Sequence, residues 1–309
     1  MPFTFHTHSG QFCRHAHGQL EDVVETAIAK GMVVLGLSEH VPRSCTEDLY
    51  PEEADMTPAD LCRVFGAYVV EARRLRAKYR DQITILVGAE TELISETATP
   101  QELQALRKQY DLDYYVGSVH HIDGMPLDFD EEGYNQIVAH FNGDRGAMFR
   151  RYFDQQLVLL QTVRPEIVGH MDLVRIFHPP NTEDPLARAD IRALASRNID
   201  YAIAYGAVFE INARAWKKNL RDAYPHRDLL QEIVAKGGRL TIADDSHGAK
   251  DVAMYYDRLH RYLCEMGVRD LHYLRRSEEA GHSHTEVCVL KDATTHRFWT
   301  DNGFVMPAL

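Results

Sequence analysis

Short runs of consecutive apolar residues alternate along the chain with longer segments in which apolar residues recur every three or four positions. The short runs are typical of strands buried on both faces, and the longer pattern is typical of amphipathic helices. The predicted strands are 2–5, 32–37, 83–89, 114–118, 166–170, 207–212 and 239–244. The predicted helices include 20–31, 60–79, 100–110, 148–163 and 226–238.

This alternation predicts an α/β fold in which crossover helices join parallel strands. Seven strand–helix units in a row fit either a closed barrel or an open sheet with helices on both faces. A further apolar run at 286–290 lies in the tail. No segment has the composition of a linker, so we expect a single domain over 1–309 with 270–309 as a C-terminal capping segment.

Composition and charge narrow the class of protein. With 34 Lys and Arg against 46 Asp and Glu, the net charge is -12, and nucleic-acid binding is not expected from such a surface. No apolar run approaches the roughly 18 residues of a membrane span, and the first residues do not resemble a secretory signal. The five cysteines include no CxxC pair, so we expect reduced thiols in a cytoplasmic protein.

Residues able to bind metal follow every predicted strand. In a barrel the C-terminal ends of the strands meet at one mouth, so these side chains are expected to converge. A lone HxH or DxH pair is more often an ordinary surface feature, but the combination at successive strand ends predicts a metal centre. The residues are His6, His8 and His15, then Glu39 and His40, Glu90, His120 and His121, His170 and Asp172, Asn212 and Arg214, and Asp244 to His247.

Four motifs resemble those of the PHP (polymerase and histidinol phosphatase) superfamily. They are HTHS (6–9), GLSEH (36–40), GAE with GSVHH (88–90 and 117–121) and DDSH (244–247). Within it the chain most resembles histidinol-phosphate phosphatases of the HisK type, through FCRH (12–15), VHHIDGMPLDFDE (119–131), VGHMDLVR (168–175) and FEINARAWKK (209–218). The resemblance implies a distorted (β/α)7 TIM-like barrel, the PHP fold, with its active site at the C-terminal ends of the strands.

The resemblance also implies a trinuclear centre, so two to three divalent metal ions are expected. The implied ligands of the first ion are His6, His8, Glu90 and Asp245. Glu90 would bridge to a second ion, whose other ligands are His120 and His170. The implied ligands of the third ion are His15, His40 and His247. Mixed imidazole and carboxylate donors suit Zn, Fe or Mn.

The implied reaction converts the phosphomonoester L-histidinol phosphate to L-histidinol and phosphate, a step of histidine biosynthesis. A metal-bound hydroxide would attack phosphorus, because metal ions lower the pKa of bound water. The expected catalytic residues are Glu90, Asp245 and His247. A phosphoenzyme route is not expected, since the chain has neither a DxDx(T/V) nucleophile motif nor a P-loop.

Five residues are expected to contact the substrate: His121, Asp128, Arg175, Arg214 and Lys217. The cations would hold the phosphoryl group, and the resemblance favours Lys217 over Arg214. The acidic loop that contains Asp128 would recognise histidinol, which carries an ammonium group and an imidazole.

Other functions stay open at this level. They are a PHP-type phosphodiesterase or nuclease, a phosphatase of another small phosphomonoester, an amidohydrolase-type deaminase, and a PHP domain that has lost catalysis. The acidic balance argues against a nuclease, and the DxH pair argues against an amidohydrolase. No predicted ligand position is lost, which argues against a non-catalytic domain. The oligomeric state is not predicted.

Overall fold

The computed structural model describes residues 2–179, 182–279 and 282–305. The strands are β1 (Phe3–Thr4), β2 (Thr7–His8), β3 (Val34–Leu37), β4 (Thr84–Val87), β5 (Ala89–Glu90), β6 (Tyr115–Gly117), β7 (His121–Ile122), β8 (Met125–Pro126), β9 (Ile167–Val168), β10 (Val208–Asn212), β11 (Arg239–Ala243), β12 (Ser246–His247), β13 (Leu271–Glu279) and β14 (His282–Leu290). The helices are α1 (Leu20–Ala29), α2 (Pro58–Lys78), α3 (Thr99–Tyr110), α4 (Glu131–His140), α5 (Arg145–Thr162), α6 (Ala189–Tyr205), α7 (Arg227–Ala235), α8 (Tyr256–Glu265) and α9 (Phe298–Asp301).

Parallel pairing joins most of these strands into a ring. One set of neighbours is β1, β3 and β4, and the other is β5, β6, β9, β10 and β11. Only Gly88 separates β4 from β5, so the two occupy one position in the ring. The ring closes where β12, just after β11, pairs with β2, just after β1. Among the described residues this makes seven strand positions, and the predicted α/β barrel is confirmed.

The side chain of Tyr114 packs across the barrel beneath the strand ends. Its hydroxyl carries one hydrogen, which is shared between the carbonyl oxygens of Phe5 (2.8 Å) and Leu37 (3.1 Å). A Cβ at Gly36 would lie 2.3 Å from this hydroxyl, and one at Gly88 would lie 2.4 Å from the ring. Glycine at both positions therefore lets one phenol tie together the strands that carry the metal ligands.

The helices cover the outside of the ring through apolar stripes. In α2 the buried residues recur at helical spacing: Leu61, Phe65, Tyr68, Val69, Ala72 and Leu75. Thr57 fixes the start of α2, because its hydroxyl accepts a hydrogen bond from the Asp60 amide while the Asp60 carboxylate accepts one from the Thr57 amide.

The C-terminal tail forms a β13–β14 hairpin against the opposite end of the ring from the metal ligands. Tyr273 stacks on Phe3 at the start of β1, and Arg276 pairs with Asp113 just before β6, at 2.9 Å. These contacts agree with a capping segment at 270–309, but the single-domain organisation of 1–309 stays a prediction. Among the described residues, no helix combines the length and apolarity that crossing a membrane requires.

Candidate metal centre

The nine predicted metal ligands lie at or just after the C-terminal ends of the strands. His6 follows β1, His8 ends β2, His15 follows β2, His40 follows β3, Glu90 ends β5, His120 follows β6, His170 follows β9, Asp245 follows β11, and His247 ends β12. Glu90 is only 1% exposed, whereas the side chain of His15 is 36% exposed at the outer edge of the group. The local strand geometry turns alternate residues such as His6 and His8 toward the same side.

Five imidazoles converge on the carboxylate of Glu90. Its Oε1 lies 3.0 Å from His6 Nε2, 3.2 Å from His120 Nε2 and 3.0 Å from His170 Nε2. Its Oε2 lies 3.3 Å from His8 Nε2 and 3.2 Å from His40 Nδ1. Glu90 is therefore placed to share its two oxygens between neighbouring groups of imidazoles.

Asp245 approaches the same group from β11. Its Oδ1 lies 3.7 Å from His6 Nε2 and 3.8 Å from His8 Nε2. One donor set whose atoms lie within 4.8 Å of each other is His6, His8 and Asp245, and another is His6, Glu90 and His170. The first set contains three of the four ligands expected for the first ion, and the second set combines His6 with two ligands expected for the second ion.

The imidazole nitrogens of this group are poorly satisfied by the protein itself. His6 Nε2 and both ring nitrogens of His8 and of His40 are buried and make no well-oriented hydrogen bond among the described residues, although carboxylate oxygens lie 3.0–3.5 Å from all of them except His40 Nε2. The Nε2 atoms of His120 and His170 face each other at 3.3 Å. An unsatisfied buried polar atom costs about 1–3 kcal/mol, so the donor set fits cations coordinated between the rings.

The carboxylates of the group are held in their charged form. Burial opposes ionisation of Glu90, but the facing imidazoles of His6, His120 and His40 outweigh it and hold the Glu90 pKa well below its usual value. Burial also opposes ionisation of Asp245, and His6 and Arg214 together outweigh it, so its pKa is lowered too. Both residues are therefore available as anionic ligands.

The group forms one wall of a cavity of about 280 Å³. Two cations, Arg214 and Lys218, lie beside the histidines and carboxylates. The remaining lining is aromatic, apolar and acidic: Tyr50, Phe129, Leu173, Ile176, Tyr224, Glu52 and Asp128. The cavity therefore offers a site for an anion at the metal ligands and a different surface for the rest of a small molecule.

A family model described as the PHP domain matches residues 4–214. The chain belongs to the PHP family. A relative from Schizosaccharomyces pombe, named "Probable histidinol-phosphatase", is 40% identical over 97% of this chain and 96% of its own length. Histidinol-phosphatase from Saccharomyces cerevisiae is 28% identical over 89% of this chain and 91% of its own length.

Two solved structures share the PHP fold of this chain. The HisK structure from Listeria monocytogenes has a TM-score of 0.72 at 22% identity, covering 83% of this chain and 99% of that one. The HisK structure from Lactococcus lactis, a complex with zinc, L-histidinol and phosphate, has a TM-score of 0.65 at 20% identity, covering 88% and 95%.

An outer layer of carboxylates surrounds the nine predicted metal ligands, which together are called the PHP centre below. Glu210 lies 3.0 Å from His6 Nδ1, Glu39 lies 3.5 Å from His8 Nδ1, and Glu52 lies 2.6 Å from His15 Nδ1. Glu92 lies 3.2 Å from His40 Nδ1 and is itself paired with the buried Arg43. Carboxylates in such positions orient metal-binding imidazoles and fix which nitrogen carries hydrogen. The sequence analysis assigned no such role to these residues, although Glu210 interrupts an apolar strand.

Two of the five expected substrate contacts line the cavity, and the other three do not. Asp128 and Arg214 line the cavity. Lys217 lies outside the cavity lining, where its Nζ pairs with Asp251 at 2.9 Å, and the neighbouring Lys218 lines the cavity instead. The short helical turn after β10, Ala213–Trp216, decides which of the two lysines lines the cavity, and the sequence did not reveal this turn.

The other two expected contacts are buried beside the cavity and are not part of its lining. Arg175 donates from Nε to Asp172 at 2.6 Å, and its guanidinium lies over the Tyr224 ring, 4.9 Å from the ring centroid. The His121 ring lies 5.7 Å from the ring of Tyr50. Burial lowers the His121 pKa to about 4, so this imidazole is neutral where it packs beside Tyr50.

Proposed function

We propose that this protein is a metal-dependent phosphomonoesterase that hydrolyses L-histidinol phosphate to L-histidinol and phosphate, a reaction of histidine biosynthesis. The observation that carries the proposal is the convergence of five imidazoles on Glu90 at a cavity that also contains Arg214 and Lys218. The relatives named histidinol-phosphatase match this chain over most of its length, which supports the same substrate.

The proposed metal content is two to three divalent ions per chain. His6, His8, Glu90 and Asp245 would hold one ion, and Glu90 with His120 and His170 would hold a second. His15, His40 and His247 are the ligands expected for a third. Zinc is the first candidate, because zinc is present in the Lactococcus lactis relative, and Fe and Mn suit the same donors.

Bound divalent ions supply a water of lowered pKa and neutralise charge on the phosphoryl oxygens. The chain contributes cations that hold the phosphate in place. Arg214 is fixed by hydrogen bonds from Nη1 to the Asp245 carbonyl oxygen (2.9 Å) and to Asp251 (3.3 Å). Lys218 lies close to it in the lining. Together they would hold non-bridging oxygens and stabilise the charge that develops in the transition state.

The other wall of the cavity would receive the amino-alcohol half of the substrate. Phe129 is 41% exposed beside Asp128, and its ring stacks on Tyr50 at 6.1 Å. Leu173 and Ile176 add apolar surface. An acidic and aromatic surface suits a ligand that carries an ammonium group and an imidazole ring.

Two further expectations stay proposals. A cytoplasmic location fits the five free cysteines. A small phosphomonoester as the partner, with no role for nucleic acid, fits the net charge of -12 and the small cavity.

The test is a comparison of kcat/KM for L-histidinol phosphate with that for sugar phosphates, p-nitrophenyl phosphate and bis-p-nitrophenyl phosphate. We expect histidinol phosphate to be preferred by at least about a hundredfold, which corresponds to two charged or apolar contacts of ordinary strength. Equal turnover of the monoesters would reject the substrate assignment, and preferred turnover of the diester would indicate a phosphodiesterase.

A further inference from the structure

A cysteine lies next to the most exposed of the predicted metal ligands. The turn after β2 carries Cys13, which is 8% exposed, and its Sγ lies 3.1 Å from His15 Nε2. The other ring nitrogen of His15, Nδ1, lies 2.6 Å from Glu52 Oε1. Because a carboxylate only accepts hydrogen bonds, Nδ1 carries the hydrogen and Nε2 presents its lone pair on the side of the sulfur.

His40 completes a set of three donors. Cys13, His15 and His40 each offer one ligand atom within 4.8 Å of the other two. Ligand sulfur and nitrogen lie about 2.0–2.3 Å from a zinc ion, so ligands of one ion are separated by at most about twice that distance. His40 Nδ1 faces Glu90 and Glu92 at 3.2 Å, whereas His40 Nε2 is buried without a hydrogen-bond partner among the described residues. His40 Nε2 is therefore available for a ligand that the protein itself does not provide.

We propose that Cys13 is a metal ligand, and that with His15 and His40 it binds the third ion of the PHP centre. His247, expected as the third ligand from the sequence, belongs to none of the donor sets found among the described residues, but its ring lies 5.1 Å from that of His15, so Cys13 would add to this ligand and not replace it. As the ion binds, the sulfur forms a bond to the metal and its proton leaves to solvent. A thiolate favours zinc, iron or cobalt over manganese and magnesium.

The alternative is an ordinary hydrogen bond from the Cys13 thiol to His15 Nε2, which has the same 3.1 Å separation. Only coordination produces a thiolate-to-metal charge-transfer absorption. The protein stripped of metal and loaded with Co²⁺ alone distinguishes the two, because the near-ultraviolet charge-transfer band reports sulfur and the visible d–d bands report bound cobalt. This measurement does not depend on enzymatic activity.

Two variants assign the band to one residue. The first is Cys13→Ser. The second keeps Cys13 and replaces the other four cysteines, Cys45, Cys62, Cys264 and Cys288, with Ser. Those four are exposed or partly exposed, so their loss is not expected to disturb the fold.

We expect the band in the wild-type protein and in the variant that keeps Cys13, and no band in Cys13→Ser, which should also retain less cobalt. Absence of the band from the wild type, or its persistence in Cys13→Ser, would overturn the proposal. If Cys13→Ser does not fold, loss of the band from the variant that keeps Cys13 would overturn it equally. Turnover of histidinol phosphate is measured separately, since a band without turnover would reject the substrate and leave Cys13 as a ligand.

Discussion

The Nδ1 atom of His6 lies 3.1 and 3.0 Å from the two carboxylate oxygens of Glu210. The same carboxylate accepts hydrogen bonds from the His170 amide (2.7 Å) and from Asn212 Nδ2 (2.8 Å). Asn212 in turn donates to Asp245 at 3.2 Å. Glu210 therefore supports three predicted ligands without being one itself, and it leaves His6 Nε2 free for a metal ion.

Replacing Glu210 with Gln is expected to weaken metal binding. The amide cannot accept hydrogen bonds through both of its polar atoms, so the orientation of His6 is lost in part. Loss of such an outer partner typically costs about ten- to hundredfold in metal affinity or activity. Zinc affinity is measured by competition with a chelator. Glu286→Gln, which removes an exposed ion pair with Arg275, is the matched control. Equal zinc affinity in the two variants would show that Glu210 does not position His6.

Replacing Glu90 with Ala is expected to reduce kcat by several orders of magnitude, because Glu90 faces the imidazoles of two predicted ions. The loss should exceed that of His170→Ala, which removes a ligand of only one ion. The measurement is kcat for histidinol phosphate together with metal content. A Glu90→Ala enzyme that keeps a tenth of the wild-type kcat would rule out a bridging role.

Replacing Lys218 with Ala is expected to weaken inhibition by inorganic phosphate and to lower kcat/KM, while metal content stays unchanged. A charged hydrogen bond contributes roughly 1.5–3 kcal/mol, or about ten- to hundredfold in kcat/KM. Lys217→Ala is the matched control, since Lys217 pairs with Asp251 outside the cavity lining. A larger effect at Lys217 than at Lys218 would mean that the turn adopts a different register when phosphate binds.

Replacing Asp128 with Asn is expected to raise KM for histidinol phosphate by about tenfold through loss of a partly exposed charged contact. The kcat/KM for p-nitrophenyl phosphate, which has no cationic group, should stay the same. Asp128 would be excluded from substrate recognition if both substrates lost activity equally.

The barrel and the clustering of the candidate ligands were predictable because they rest on local patterns. Apolar runs located the strands, and polar residues directly after them located the mouth. A helix between strands 166–170 and 207–212 was implied by the strand–helix alternation, but the bounds of α6 were not given; its buried face contains Asn198, which donates to the Phe153 carbonyl oxygen at 2.7 Å and interrupts the apolar stripe. Helix α4 was missed because its acidic start has the composition of a loop, although Asp130 caps it.

Contacts between segments that lie far apart in the chain could not be predicted from the sequence. Glu52 and His15 meet only because the loop before α2 folds over the strand ends. The difference between Lys217 and Lys218 depends on the turn after β10, where a shift of one residue redirects a side chain. Neither relationship leaves a periodic pattern in the sequence.

The most direct test is a titration of the metal-stripped protein with Zn²⁺ in which bound zinc and hydrolysis of L-histidinol phosphate are measured in the same samples. The structure predicts no turnover without metal and a rise in turnover that is complete only when two or more ions are bound per chain. Full turnover by the stripped protein, or turnover that is complete with less than one bound ion per chain, would contradict the account.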